Sequence, residues 1–164
     1  MREGLPLSHL KVKDYLESVK LGDRHIVWGQ VSDTVECAAK AVGCEPAQIV
    51  KTMSFLQSDG PVVIAIAGDA KVNSGKYKAT FQQKAVMIPG DQVEELTGFP
   101  PGAVCPFALK EGVKVYLDNS TKRFDIIHVS GGSIDSTVEL SLAELEKHSS
   151  PAGWVDVCKG WYGE

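Results

Sequence analysis

Hydrophobic positions recur at helical spacing near the start of the chain. Val12, Leu16 and Val19 share one face of a segment running to about Lys20, with Ser8 placed to cap it. Gly22 and Asp23 end that segment, and His25 to Trp28 reads as a short strand. Asp33 and Glu36 have the spacing of a capping box opening a helix through Val35, Ala38, Ala39 and Val42, closed by Gly43. Pro46 suits the first turn of a short helix to Ile49. Two apolar runs, Val50 to Leu56 and Pro61 to Ala67, flank Gln57-Ser58-Asp59-Gly60 and predict a hairpin of buried strands. Beyond it the pattern predicts a helix over Asn73 to Gln82, a strand over Ala85 to Ile88, and a helix over Asp91 to Leu96 stopped at Gly98. Thr97 to Pro106 holds too much Gly and Pro for a regular element. Strands follow at Val113 to Asp118, Ile126 to Ser130 and Thr137 to Leu140. A helix from Leu142 to His148 is capped by Ser141 and Glu144, and Trp154 to Val157 reads as a last strand. Helices and strands mix without strict alternation around an antiparallel hairpin, which favours an α+β fold over a doubly wound sheet.

The 164 residues fit one domain spanning 1–164, and 43% hydrophobic with 23% charged residues is ordinary for a globular chain. The apolar run at Pro61 to Ala67 is too short to cross a bilayer, and the first residues lack a secretory stretch, so no membrane role and a cytoplasmic location are expected. Four cysteines and four histidines are scattered without metal-ligand spacing, so neither a structural metal nor disulfides are expected. Cys37 falls on an apolar helical face and reads as a core residue. A net charge of -4 argues against a general nucleic-acid clamp. Within it, Ala70 to Gly90 carries Lys71, Lys76, Lys78 and Lys84 and no acid, either a solvated face or a landing patch for a few phosphates.

Walker, nucleophile-elbow, zincin and Rossmann signatures are all missing. Lys51, inside an apolar strand, either reaches for water as an edge-strand lysine or meets an anion in a cleft. The loop Gly102-Ala103-Val104-Cys105-Pro106-Phe107 is either a plain turn or a bend whose N–H groups cradle a carbonyl oxygen. Gly131 and Gly132 permit close approach of a ligand or simply turn the chain. Asp118 either orients a neighbouring donor or serves the turn at Asn119-Ser120.

In order and spacing these segments resemble the YbaK/ProX family, which includes the editing domain inserted in bacterial prolyl-tRNA synthetases. The resemblance rests on Val50-Lys51-Thr52-Met53, Gly68-Asp69, Thr97-Gly98-Phe99, Gly102-x-x-x-Pro106-Phe107, Leu117-Asp118 and Val129-Ser130-Gly131-Gly132, covering roughly residues 8 to 148. It implies a curved, barrel-like mixed sheet flanked by helices, and hydrolysis of the ester joining a small amino acid to the terminal adenosine of tRNA. It assigns Lys51 to the terminal nucleotide and Gly102 to Pro106 to a loop that closes over the ester, without metal or other cofactor.

The expectation is therefore a freestanding trans-editing deacylase of Ala, Cys, Ser or Thr mischarged onto tRNA. Its catalytic residues would be Lys51 and Gly102. Thr52, Trp28, Ala103, Val104, Cys105, Pro106, Asp118, Gly131 and Gly132 would bind substrate, with Met53 beside them. Partners would be the tRNA acceptor end and an aminoacyl-tRNA synthetase such as the prolyl enzyme. The alternatives are a non-catalytic tRNA- or synthetase-binding module of the same fold, and a hydrolase of another small ester or a modified nucleotide. The chain departs from the family pattern at Ser133-Ile134-Asp135, where relatives carry a basic residue. It departs again at Trp28-Gly29-Gln30, where they carry a histidine, and at Ala103, where they carry a glycine. These departures leave the amino-acid specificity open.

Overall fold

The computed structural model describes residues 7–27 and 35–161. Trp28, the Asp33 cap and Tyr162 to Glu164 lie outside the described residues. The elements run α1 (Leu7–Ser18), β1 (His25–Val27), α2 (Val35–Val42), β2 (Lys51–Gln57), β3 (Gly60–Ile66), β4 (Lys71–Val72), α3 (Ser74–Phe81) and α4 (Gly90–Thr97). They continue as β5 (Lys114–Asp118), β6 (Ile126–Ser130), β7 (Ser136–Ser141), α5 (Leu142–Ser149), β8 (Gly153–Val155) and β9 (Cys158–Lys159).

The expected hairpin forms: β2 and β3 pair antiparallel from Lys51 opposite Ile66 to Gln57 opposite Gly60. β3 then pairs parallel with β5, and β5 parallel with β8, giving a mixed four-stranded sheet in the order β2-β3-β5-β8. β1, β7 and β6 form a second, antiparallel sheet. A parallel bridge between Ile49 and His128, with the Val50 N–H donating to the His128 carbonyl at 2.7 Å, stitches the two together just before β2. The result is the α+β architecture, a mixed sheet that bends without closing into a barrel.

The apolar run of β3 is continuous because both its faces are covered. Val63 and Ala65 point into one core with Val12, Leu16, Phe99, Leu117, Val129 and Leu140. Val62, Ile64 and Ile66 point into the other, with Phe55, Tyr77, Val157 and Cys158. The period of two in a strand thus splits one hydrophobic run between two cores.

Local signals held where a side chain could act on its own neighbours. Asn73 caps α3 by accepting from the Lys76 N–H at 2.9 Å, and Ser141 and Glu144 form the expected capping box on α5. Three expectations fail, and one feature was unforeseen. Ser8 sits inside α1 rather than capping it, because its hydroxyl donates instead to the Gly132 carbonyl at 2.6 Å. Ala85 to Ile88 is no strand: only Met87 bridges, to Phe55. Cys37 is exposed, since α2 turns Ala38 and Ala39 inward instead. β4 and β9, two residues each, were not expected at all.

Candidate active site around Lys51

The site is made by a gap along the outer edge of β2. At one end Val50 is hydrogen-bonded to His128; at the other, Leu56 N–H donates to Val86 and Ile88 N–H to Ser54. Between these contacts lie Lys51, Thr52 and Met53, and there a cavity of about 450 Å³ opens. Ile88 and Val93 form one side of it, Pro101, Gly102 and Val104 a second, and β6 with β7 a third. Its lining is apolar with six hydroxyl side chains: Thr52, Ser54, Ser130, Ser133, Ser136 and Thr137. Among the described residues, Lys51 is the only charged one that lines it. Cavities of this kind, apolar with few convergent polar groups, are what small-ligand sites look like.

Strand alternation sends Thr52 and Ser54 toward one face of β2 and Lys51, Met53 and Phe55 toward the other. The Lys51 Nζ is half-buried and donates to the Ala70 carbonyl at 2.9 Å. Burial pulls its pKa below the ordinary lysine range, and the neighbouring Lys71 acts in the same direction. The nearby Cys158 thiol offers no counter-charge at neutral pH, because burial pushes its own pKa up. A cation held half out of water by one carbonyl has unused capacity for an anion.

The wall formed by Ser133 and Ser136 stands on a buried polar network. Ser133 Oγ and Ser136 Oγ are 2.5 Å apart, Ser133 donates to Asp135 at 2.8 Å, and both hydroxyls approach His9 Nδ1, at 3.2 and 3.4 Å. His9 stacks on His25 with ring centroids 4.3 Å apart, and His25 Nε2 meets the Gly131 carbonyl at 3.0 Å. Burial lowers the pKa of both rings, and that of His25 falls to about 4, so the pair is neutral near pH 7. By contrast the hydroxyl oxygens of Thr52 and Thr137 are buried without a hydrogen-bond partner.

Of the residues expected at a site, Lys51, Thr52, Met53, Gly102 and Val104 line the cavity. Ala103, Cys105 and Pro106 are buried behind that loop and do not line it. The Ala103 N–H is committed to the Pro100 carbonyl at 3.1 Å, and burial pushes the Cys105 thiol pKa up. Gly131 and Gly132 are buried beside lining residues rather than among them: a Cβ on Gly132 would lie 2.5 Å from the Ser8 carbonyl, so the glycine is there to let α1 approach. Asp118 serves the turn: its two oxygens accept from the Ser120 and Val157 N–H groups, both at 2.9 Å, and it lines no cavity described here. Ser54, Ser133, Ser136 and Thr137 were missed. The crowding of Ser and Thr between 130 and 137, and the Thr52/Ser54 alternation, were the signals that could have found them. Among the described residues, no three His, Cys, Asp or Glu side chains gather as a metal site needs, and no helix is long and apolar enough to cross a membrane.

Residues 30–148 match the model of the aminoacyl-tRNA editing domain family. The chain is 43% identical over 131 residues to YwhH of Bacillus subtilis (strain 168), a protein named as uncharacterized, covering 79% of this chain and 83% of that one. It is 28% identical over 116 residues to EbsC of Enterococcus faecalis (strain ATCC 700802 / V583), named as a candidate Cys-tRNA(Pro)/Cys-tRNA(Cys) deacylase, covering 70% and 71%. A proline–tRNA ligase of Bacillus licheniformis is 27% identical over 120 residues, which cover 72% of this chain and 21% of the ligase. Among solved structures, a candidate trans-editing enzyme for prolyl-tRNA synthetase superposes with a TM-score of 0.86 at 25% identity, over 96% of this chain and all of the other. The chain belongs to the aminoacyl-tRNA editing domain family.

Proposed function

We propose that this chain is a trans-editing deacylase that hydrolyses the ester of a small mischarged amino acid, Ala, Cys, Ser or Thr, on tRNA. The observation that carries the reading is the cavity opening at the β2 gap, apolar and ringed by hydroxyls, with Lys51 as its single charge among the described residues. An aminoacyl ester is already activated, so the protein's task is to hold the carbonyl, admit a water and exclude larger side chains. Water adds to the ester carbonyl, the C–O bond to the terminal ribose breaks, and the ribose hydroxyl leaves with a proton. Lys51 holds the terminal nucleotide, the Gly102–Val104 loop covers the ester, and Thr52 lines the amino-acid side. The chain acts as one domain in the cytoplasm, with the acceptor end of tRNA as its partner and a synthetase such as the prolyl enzyme holding the rest.

The test is deacylation of tRNA charged separately with Ala, Cys, Ser, Thr and Pro, beside Lys51→Ala. Loss of one or two esters, abolished in the variant, is the expected result. Intact esters together with tRNA binding would leave a non-catalytic binding module, a reading favoured by the Ala103 N–H being already committed within its loop.

A further inference from the structure

On the opposite face of β2 lies a second cavity, of about 310 Å³, which the proposed hydrolysis does not use. It shares Lys51, Met53 and Met87 with the first, so the two meet at the β2 gap. The Lys51 ammonium stands at that junction: it lines both cavities, and its partner, the Ala70 carbonyl, comes from a residue that lines the second and not the first.

The chemistry of the lining is specific. Among the described residues no carboxylate lines it, and two cations do, Lys51 and the exposed Lys71. The rest is mostly apolar, and Met87 keeps 54% of its surface in water, next to Val86 at 51%. Asp69 takes two hydrogen bonds from Arg123; its charge and that of Glu36 favour the Lys51 ammonium, but less than burial and Lys71 oppose it. Two neighbouring lysines, one half-buried, disfavour each other until an anion sits between them. A flat apolar slot beside paired cations fits an unpaired nucleotide, whose base has apolar faces and whose phosphate needs charge.

We infer that the second cavity binds the penultimate nucleotide of the acceptor end, its base against Met53 and Met87, with the phosphate that joins it to the terminal adenosine between Lys51 and Lys71. This rests on the deacylase reading, since an amino acid seated in the first cavity leaves the single strand to run along the β2 gap. Lys51 then marks the point where the ester side and the nucleotide side meet.

The test compares hydrolysis of the edited amino acid carried on adenosine alone, on the dinucleotide cytidylyl-adenosine, and on intact tRNA. For the wild type, adding the penultimate nucleotide lowers KM by roughly 5- to 100-fold, the range for one stacked base. Lys71→Glu, and Ala85→Phe filling the slot, erase that gain, and Ala85→Phe leaves the aminoacyl-adenosine rate within about twofold, since Ala85 is uncharged and lines only the second cavity. Equal KM for adenosine and dinucleotide carriers in the wild type, or equal loss on both in Ala85→Phe, overturns the inference. If the wild type cleaves no ester, the deacylase reading fails separately. Uncharged cytidylyl-adenosine titrated against the Met53 and Met87 methyl resonances then decides: shifts lost in Lys71→Glu support the site, and no shifts in the wild type overturn it.

Discussion

The two cavities on either side of β2 share three residues and solve opposite problems. The first is ringed by six hydroxyls and carries one charge; the second carries two cations on an otherwise largely apolar lining. Hydroxyls around an apolar space discriminate shape and small polar groups, whereas paired cations hold phosphate with little regard to what the phosphate carries. One strand can serve both because successive side chains face opposite ways, and Lys51 sits where they join.

The strongest way to break the comparison is to remove the residue common to both. Lys51→Ala should lower kcat/KM for deacylation on the order of 100-fold or more. Thermal melting should show no loss of stability, because burial works against the charged lysine in the folded state.

Acid should act on the wall of the first cavity and leave the second alone. His25 has a folded pKa of about 4, and His9 is also lowered, while the unfolded rings titrate near their ordinary value. Between about pH 6.5 and 4 the unfolded chain binds protons that the folded chain refuses. Stability is therefore complete above that window and falls through it on acidification, by on the order of 2 kcal/mol. Denaturant titrations at pH 7 and 4.5 measure this, and His25→Phe should flatten the difference.

Ser133→Ala sharpens the comparison from the hydroxyl side. It should change relative rates among Ala, Cys, Ser and Thr esters roughly tenfold while leaving binding of uncharged tRNA as it was. The smallest effect is expected at Thr137, whose hydroxyl is buried without a partner. Thr137→Val should be neutral or stabilising by up to about 1 kcal/mol in a melting experiment, the opposite of an ordinary core substitution.

Much of this was legible in the chain because the responsible forces are local. The β2–β3 hairpin follows from two apolar runs about a Gly-containing turn, and the cap at Ser141 follows from side chains reaching three residues ahead. β4 and β9 were not, since a two-residue strand has no periodicity and exists only through a partner far along the chain. Ser8 was misread for the same reason: its hydroxyl answers to Gly132, not to its own helix. At the cavity, the family likeness marked several of the segments that line it but not which residues within them face the space. In the loop, Gly102 and Val104 line the cavity while Ala103 is turned into the core, an outcome of backbone direction that residue identity does not reveal. Asp118 likewise sits in a dipeptide that carries the family likeness, yet both its oxygens are spent holding the turn and Val157.

The pairing of β4 with β9 sets an order of assembly. Lys71 and Val72 are held by Lys159 and Cys158, and Asn73 donates its N–H to Val157, so the segment bearing Lys71 finds its neighbours only after residues 157–159 have been made. The strands around the first cavity end at Ser141, well before that point. On a translating ribosome the strands around the first cavity are therefore all made before β4, at the second cavity, meets its partner.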